Sequence, residues 1–399
     1  MSNDLFGITS RGILSLIKSA VTGELAVLPE NFNWYAAFKY AETHQIIPII
    51  YYGVHKSKIR LPEDLAVNMK HVLYDTVTIS GRQDYELAEI TKNFSANNID
   101  YLPVKGVLLK HLYPSAETRS MSDIDILIKT QQRETICALM EKLGYTMNLE
   151  SDHELIWFKP PSVAVELHKR LIPSYNKDYF EYFGDGWNLA KQSESDKNRY
   201  DLSDEDHFIY LFTHFAKHYR DGGIGVKHLI DLWVYTSRKC ALNKDYIRAG
   251  LEKLQLYEFY RNIEETINVW FRGAAKSELT DFITERIFSN GMFGTHETST
   301  VASAVKTLKS TGSASKSRKK KFFGSIFIPY SSMCQKYPTL KKAPVLLPYY
   351  WIVRVVQTFI FKRDKVKNLQ TDMRIMSTEN VKKYHEDLNY VGLDFNFEE

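Results

Sequence analysis

The chain has 399 residues, 44% of them hydrophobic and 13% aromatic, with a formal net charge of +4. That is ample material for a large core and two to three domains, and it excludes an intrinsically disordered chain. Cys137, Cys240 and Cys334 lie far apart without CxxC spacing, which argues against a disulfide framework or a structural zinc site and for a reducing compartment. The opening MSNDLFGITSRGILSLIKSAV lacks the basic start, long apolar run and cleavage site of a signal peptide, so the expected location is the cytoplasm.

Residues 1–98 are predicted to be a helical region. Leu14, Leu16, Ile17 and Val21 line one face of an opening helix, Asn33-Trp34 starts another, and Ile46 to Val54 is an apolar run followed by a basic turn. A further tract starts at Pro62-Glu63-Asp64 and continues to Asn97-Asn98, with a break expected near Gly81. None of these carries obvious chemistry. Their expected role is to pack on the core and shape one wall of a cleft.

Residues 99–178 carry the chemistry. A short strand from Tyr101 to Val104 ends in Lys105-Gly106 and passes into VLLKHLY, which reads as a helix. Gly106 frees the backbone for a close turn, and amides at a helix start favour phosphate. Asp123 and Asp125 then sit among Ile124, Ile126, Leu127 and Ile128. On a strand that alternation puts both carboxylates on one face, about 6–7 Å apart, from which they converge on one or two hard cations such as Mg²⁺. Asp is depleted in strands, so two in so apolar a run call for a reason beyond a solvated edge. Gln131 to Leu143 has helical periodicity and closes at Gly144. Tyr145 to Asn148 and Glu154 to Lys159 read as strands, and Pro160-Pro161 turns the chain into Val163 to Lys169. There Glu166, between Val165 and Leu167, supplies a third oxygen ligand if its strand pairs beside the first. The order β-α-β-α-β-β-β predicts an α/β (α+β) fold: a small mixed sheet with helices on one side, flanked by helical regions.

Lys105, Gly106, Leu109, Tyr113, Arg119, Asp123 and Asp125, followed by the apolar-Glu-apolar strand at Glu166, give a pattern that resembles the DNA polymerase β-like nucleotidyltransferases. Within them it is similar to a bacterial group described as an uncharacterised nucleotidyltransferase family, and the likeness extends to FIPY…YP…LPYYW near the carboxy terminus. The resemblance implies Asp123, Asp125 and Glu166 as catalytic and metal-binding residues holding two Mg²⁺ ions roughly 3.5–4 Å apart. The implied substrate is a nucleoside triphosphate, ATP among the candidates. An acceptor hydroxyl attacks its α-phosphorus and pyrophosphate leaves. Lys105 is expected at the phosphates as a mobile point charge, beside Gly106, while Arg119 either clamps phosphate or braces the strand. The wider superfamily opens its site with Gly-Ser where this chain has Lys-Gly, so the manner of holding the phosphates does not carry over. The acceptor stays open among a protein hydroxyl, an RNA end, a sugar and a small metabolite.

Residues 179–290 are predicted to be a helical region covering the site. Ser203-Asp204-Glu205-Asp206 starts a helix with acids in its first turn. On it His214 and His218 are four apart, a spacing zinc ligands use, but Phe215 stands where HExxH has its Glu. The alternatives are a cleft-facing edge of His214, Lys217 and His218 that meets phosphates or substrate, and histidines that simply pack between helices. Asp221-Gly222-Gly223 turns the chain, and Lys227, His228 and Asp231 begin the next helix.

In the last region, 291–399, thirteen Lys or Arg and no acid stand between Glu297 and Asp364, so a basic segment is attached to an acidic body. TGSASKSRKKKFF reads as a Ser/Gly-rich linker ending in a charge run. The basic stretch 306–342 is a solvated loop, a docking site for an anionic partner such as nucleic acid, or a membrane-surface contact. VLLPYYWIVRVVQTFIF is broken by Pro348 and Arg354 and falls short of the ~20 residues a spanning helix needs, so a buried or interfacial helix is expected, with no transmembrane segment. Beside the enzyme stand two other readings: a non-catalytic nucleotide-binding or regulatory protein of the same fold, and an adaptor working through the basic segment.

Overall fold

The computed structural model describes residues 3–161, 163–292, 294–311, 324, 327–361 and 371–394. They form two compact units, one of residues 3–218 and 224–292, the other of residues 219–223 and those from 294 onward. The linker and charge run SASKSRKKKFF (313–323), Lys365, Lys367 and the terminal FNFEE lie outside the described residues.

The first unit opens with four helices, α1 (Asn3–Thr22), α2 (Trp34–Thr43), α3 (Ile47–Lys56) and α4 (Glu63–Ala96). Asn33 caps α2 by accepting from the Ala36 amide at 3.0 Å. The buried stripe of α1 is Ile13, Leu16, Ile17 and Ala20, whereas Leu14 and Val21 are half-buried. The face is rotated from the expected one because α3 docks closely on it: a side chain at Gly53 would stand 2.1 Å from the Leu16 carbonyl oxygen. The break expected near Gly81 is absent, and α4 runs unbroken for 34 residues. One exposed glycine costs a helix only about 1 kcal/mol. Tertiary bonds pin both sides of it, with Lys110 Nζ donating to the Ser80 carbonyl at 3.1 Å and Gln83 to the Met121 carbonyl at 3.0 Å.

The core of this unit is a five-stranded mixed sheet of order β1-β2-β5-β4-β3. Its strands are β1 (Tyr101–Pro103), β2 (Asp123–Ile128), β3 (Thr146–Glu150), β4 (Glu154–Lys159) and β5 (Val163–His168), with α5 (Gly106–Leu109) after β1 and α6 (Arg133–Lys142) after β2. β2 and β5 are parallel and every other pair is antiparallel. The β-α-β-α-β-β-β order expected from the sequence is the order found. Alternation along β2 and β5 sends Ile124, Ile126, Ile128, Val163, Val165 and Leu167 to one face. There they are buried with Leu155 and Trp157 of β4, under Ile90 and Phe94 of α4 and Ile136, Leu139 and Met140 of α6. Each such side chain contributes roughly 1.5–3 kcal/mol on burial. The opposite face is left for polar groups.

After α7 (Lys177–Phe183) comes a two-stranded ribbon, β6 (Ala190–Gln192) with β7 (Tyr200–Leu202), where only helix was expected. Three-residue strands, AKQ and YDL, are too short to show an alternation. α8 (Asp204–Asp221), started by Ser203 accepting from the Asp206 amide at 3.0 Å, and α9 (Val226–Arg238) follow, then α10 (Lys244–Lys253), α11 (Tyr257–Arg272) and α12 (Glu278–Asn290). The second unit contains α13 (His296–Thr311) and the helices Tyr330–Lys336, Leu347–Phe361 and Thr378–Tyr390. In it Met333, Cys334 and Leu340 form a small core with Tyr350 and Trp351. The helix Leu347–Phe361 was expected to be buried or interfacial. It packs Trp351, whose indole donates to the Ile328 carbonyl at 3.0 Å, and leaves Tyr349, Ile352 and Val356 exposed. Among the described residues no helix is long and apolar enough to cross a membrane.

Candidate active site

The parallel register of β2 and β5 pairs Asp123 with Ala164, Asp125 with Glu166 and Leu127 with His168. Side chains two apart on a strand share a face. The face turned away from the core therefore carries Asp123, Asp125, Glu166 and His168. The three carboxylates singled out in the sequence line one cavity of about 240 Å³, together with Lys105, Gly106, Arg119, His214, His218 and Lys227.

Lys105 links β1 to α5 with φ +54° and ψ −122°, a positive-φ conformation that favours glycine. A lysine held there is strained by the order of 1–3 kcal/mol, and the turn aims its ammonium at Asp125 Oδ1, 2.8 Å away. The expected mobile point charge is instead a largely buried ion pair, with the side chains of Lys105 and Asp125 16% and 5% exposed. The same Asp125 oxygen lies 2.7 Å from His168 Nε2. At Gly106 a Cβ would stand 2.5 Å from Met121 Sδ and 3.0 Å from Arg119 Nη1. A side chain at Gly106 would therefore displace the Met121 thioether and crowd the Arg119 guanidinium.

Burial opposes charge on Asp125, but the Lys105 ammonium and the His168 hydrogen bond outweigh it and hold the carboxyl well below its usual range. Asp123 and Glu166 lack such support. Burial and then the Asp125 charge raise Asp123, and burial with the charges of Asp123 and Asp125 pushes Glu166 up to about 8. Of the three facing carboxylates only Asp125 is ion-paired to Lys105, and burial with mutual repulsion wins at the other two.

Arg119 has a partner of its own. Its Nε and Nη2 donate to Asp231 Oδ1 and Oδ2 at 2.7 and 2.9 Å, and the Tyr113 hydroxyl donates to Oδ1 at 2.7 Å. This buried, bidentate arrangement ties the β1–β2 connection to α9, so of the two roles expected for Arg119 the brace is the one its geometry serves. Lys227, also on α9, is buried and donates to the Ser120 carbonyl at 3.0 Å. Burial and then the Arg119 charge push its ammonium down to about 7.

On α8, His214 and His218 both line the cavity, their Nε2 atoms 3.2 Å apart. Burial holds both well below the usual imidazole range, so they are neutral. Among the described residues no third ligand joins them as a zinc site would require. Lys217 is not among the residues lining the cavity.

His168, Lys227 and Asp231 were not selected as site residues from the sequence. His168 was within reach, because it stands two residues beyond Glu166 on the same strand face. The other two lie more than 100 residues from Arg119 and Ser120, a distance only the folded chain closes.

No curated protein matches this chain. Among solved structures, the solution structure of the antibiotic-resistance factor ANT(2'')-Ia aligns at 13% identity over 49% of this chain and 100% of that one, with a TM-score of 0.32, a likeness too low to carry an argument here. The family model for uncharacterised nucleotidyltransferases matches residues 30–272, a span that takes in the whole mixed sheet, the Lys105-Gly106 turn, both Asp residues, Glu166 and the helices α8 and α9. The chain therefore belongs to the uncharacterised nucleotidyltransferase family.

Proposed function

We propose that the protein is a Mg²⁺-dependent nucleotidyltransferase that moves a nucleoside monophosphate from a nucleoside triphosphate to a hydroxyl acceptor. The observation that carries this reading is the in-register pairing of Asp125 with Glu166, beside Asp123, on the polar face of a parallel strand pair above a cavity. Asp125 and Glu166 have carboxylate oxygens within 4.8 Å of each other and of His168, and Asp123 stands on the same strand face. Carboxylate oxygens are what a hard divalent cation takes, and the raised Glu166 marks a site that would gain from added positive charge. The residues present thus fit Mg²⁺, with Asp123, Asp125 and Glu166 as its holders. When bound, such an ion supplies neutralisation of phosphate charge and activation of a hydroxyl nucleophile.

The rest falls to the chain's own side chains. Lys105 and His168 fix one Asp125 oxygen and keep that carboxyl ionised. Lys227, a buried cation facing the cavity with its charge disfavoured, is the better candidate for holding triphosphate, since an anion beside it restores its proton. Arg119, braced by Asp231 and Tyr113, adds fixed positive charge at the cavity wall. The neutral rings of His214 and His218, bonded to each other through their Nε2 atoms, line the same cavity and are candidates to meet the acceptor. In the transfer the acceptor oxygen bonds to the α-phosphorus, the bond from that phosphorus to the bridging oxygen breaks, pyrophosphate leaves with the electron pair, and the hydroxyl proton passes to a base.

The test is incubation with each α-³²P nucleoside triphosphate and Mg²⁺, following label on protein, RNA and small molecules. Wild type transfers label. Asp123→Ala/Asp125→Ala loses at least about 10³-fold of the rate, the several kcal/mol of charge stabilisation at stake. If label moves in no fraction and calorimetry detects no metal-dependent nucleotide binding, the transferase reading fails and the basic-segment adaptor takes its place.

A further inference from the structure

Beside the carboxylate cluster, and sharing one ring with it, lies a second group of ligating side chains. His168 is 1% exposed and faces two ways. Its Nε2 lies 2.7 Å from Asp125 Oδ1. A carboxylate oxygen accepts, so the hydrogen on that 2.7 Å bond belongs to the imidazole. This fixes the tautomer with Nε2 protonated and leaves Nδ1 a bare lone pair. Nδ1 is buried and has no hydrogen-bond partner among the described residues. Glu154 Oε2 is 3.5 Å from it, and His153 Nε2 is 3.7 Å from that same carboxylate oxygen. The His153 and His168 rings are 5.1 Å apart between centroids.

A carboxylate that accepts from one imidazole nitrogen while the other nitrogen points at a carboxylate and a second imidazole is the arrangement that surrounds a histidine-bound metal ion. We propose that His153, Glu154 and His168 form a site for a divalent transition ion of the Zn²⁺ class, separate from the Asp123–Asp125–Glu166 carboxylates and coupled to them through the His168 ring. Two imidazoles and one carboxylate are borderline donors that suit Zn²⁺, whereas the oxygen-only cluster suits Mg²⁺. One ligand atom from each residue lies within 4.8 Å of the others. An occupied tetrahedral site brings such atoms to about 3.3–3.5 Å; the two pairs that include Glu154 Oε2 already stand at 3.5 and 3.7 Å, so the closure falls mainly on the two imidazoles.

The backbone holds two of the ligands in place. Ser151 Oγ accepts from the amides of His153 and Glu154, each at 3.1 Å, and the Lys169 amide donates to the His153 carbonyl at 2.8 Å, so the β3–β4 turn is tied to the end of β5 beside His168. Glu154 and His153 retain 21% and 16% side-chain exposure, which gives an ion its way in. Once bound, the ion polarises the His168 ring and strengthens its Nε2 hydrogen bond to Asp125, so it acts as a positioning device for a carboxylate of the cleft. Ion binding itself does not depend on the transferase reading.

The experiment uses the full chain, stripped by chelator and held in millimolar Mg²⁺ so that the oxygen cluster is satisfied. Zn²⁺ is titrated by calorimetry and Co²⁺ by visible absorption, in wild type, His153→Ala, Glu154→Gln and Asp123→Asn, with circular dichroism checking that each is folded. One ion per chain is expected, with the intense absorption of four-coordinate Co²⁺. Affinity falls more than about tenfold in His153→Ala and in Glu154→Gln and stays within about twofold in Asp123→Asn. Should His153→Ala not fold, the near-isosteric Glu154→Gln decides. The proposal is overturned if wild type binds Zn²⁺ no more tightly than Glu154→Gln does, or if Asp123→Asn is the variant that abolishes binding.

Discussion

At the scale of single residues, Lys105 shows how a local rule is broken where an ion pair compensates. Its φ of +54° is a glycine conformation, and the strain is offset by the ion pair with Asp125. Once the ammonium is removed only the backbone preference remains. Lys105→Gly is therefore expected to be more stable than Lys105→Ala by about 1 kcal/mol in urea denaturation, the reverse of the usual order; Ala equal to or better than Gly would show that the turn relaxes. Lys227 makes a pH-dependent prediction. Its folded-state pKa is lowered to about 7, so between about pH 7 and about pH 10.4 the unfolded chain binds more protons than the folded one and stability rises with pH. The cost of the buried ammonium is full below that window and vanishes above it. The stability gained by Lys227→Met over wild type should accordingly be larger at about pH 6 than at about pH 9. A difference that is flat or grows with pH would sink the assignment of a buried, disfavoured ammonium.

At the scale of elements, two glycines of the helical region have opposite roles that identical sequence symbols conceal. Gly53 sits where α3 meets α1, and a Cβ there would stand 2.1 Å from a backbone oxygen that cannot rotate away. Gly81 lies on the exposed side of α4 with nothing within 4 Å of an added Cβ. Gly53→Ala is expected to destabilise by about 1–3 kcal/mol through overpacking, while Gly81→Ala stabilises by about 0.5–1 kcal/mol through helix propensity. Thermal melts of the pair test both, and shifts of the same sign would contradict the close α1–α3 packing. The break expected at Gly81 failed for the reason the second half of this pair exploits: propensity in one residue is small beside the tertiary bonds on either side. The β2 and β5 strands were legible because their alternation is strong, Asp-Ile-Asp-Ile and Val-Ala-Val-Glu-Leu, whereas the three-residue β6 and β7 carry no pattern to read.

At the scale of the whole molecule, nucleotide binding to the folded state alone couples to global stability by mass action. With Mg²⁺ and a nucleoside triphosphate at about 100 times its Kd, the first unit should gain about 2.7 kcal/mol, seen as a melting temperature that climbs with ligand concentration. Asp123→Ala/Asp125→Ala should abolish that climb. A wild-type melting temperature indifferent to nucleotide and metal together would place the function elsewhere, with the thirteen basic residues between Glu297 and Asp364 the next place to look.

The sequence by itself determined the class of the core, the order of its elements and the placing of Asp123 and Asp125 on one strand face, because strand alternation and Asp in an apolar run are local signals that survive without a partner strand. That Glu166 stands beside them was decided by the pairing of β2 with β5. Tertiary structure alone decided what the cations do. That Lys105 pairs with Asp125, Arg119 with Asp231 and Lys227 with a backbone carbonyl depends on strands and helices separated by 20 to more than 100 residues meeting in one cavity. Charge interactions fall off with distance and strengthen with burial, and a linear chain specifies neither until it has folded.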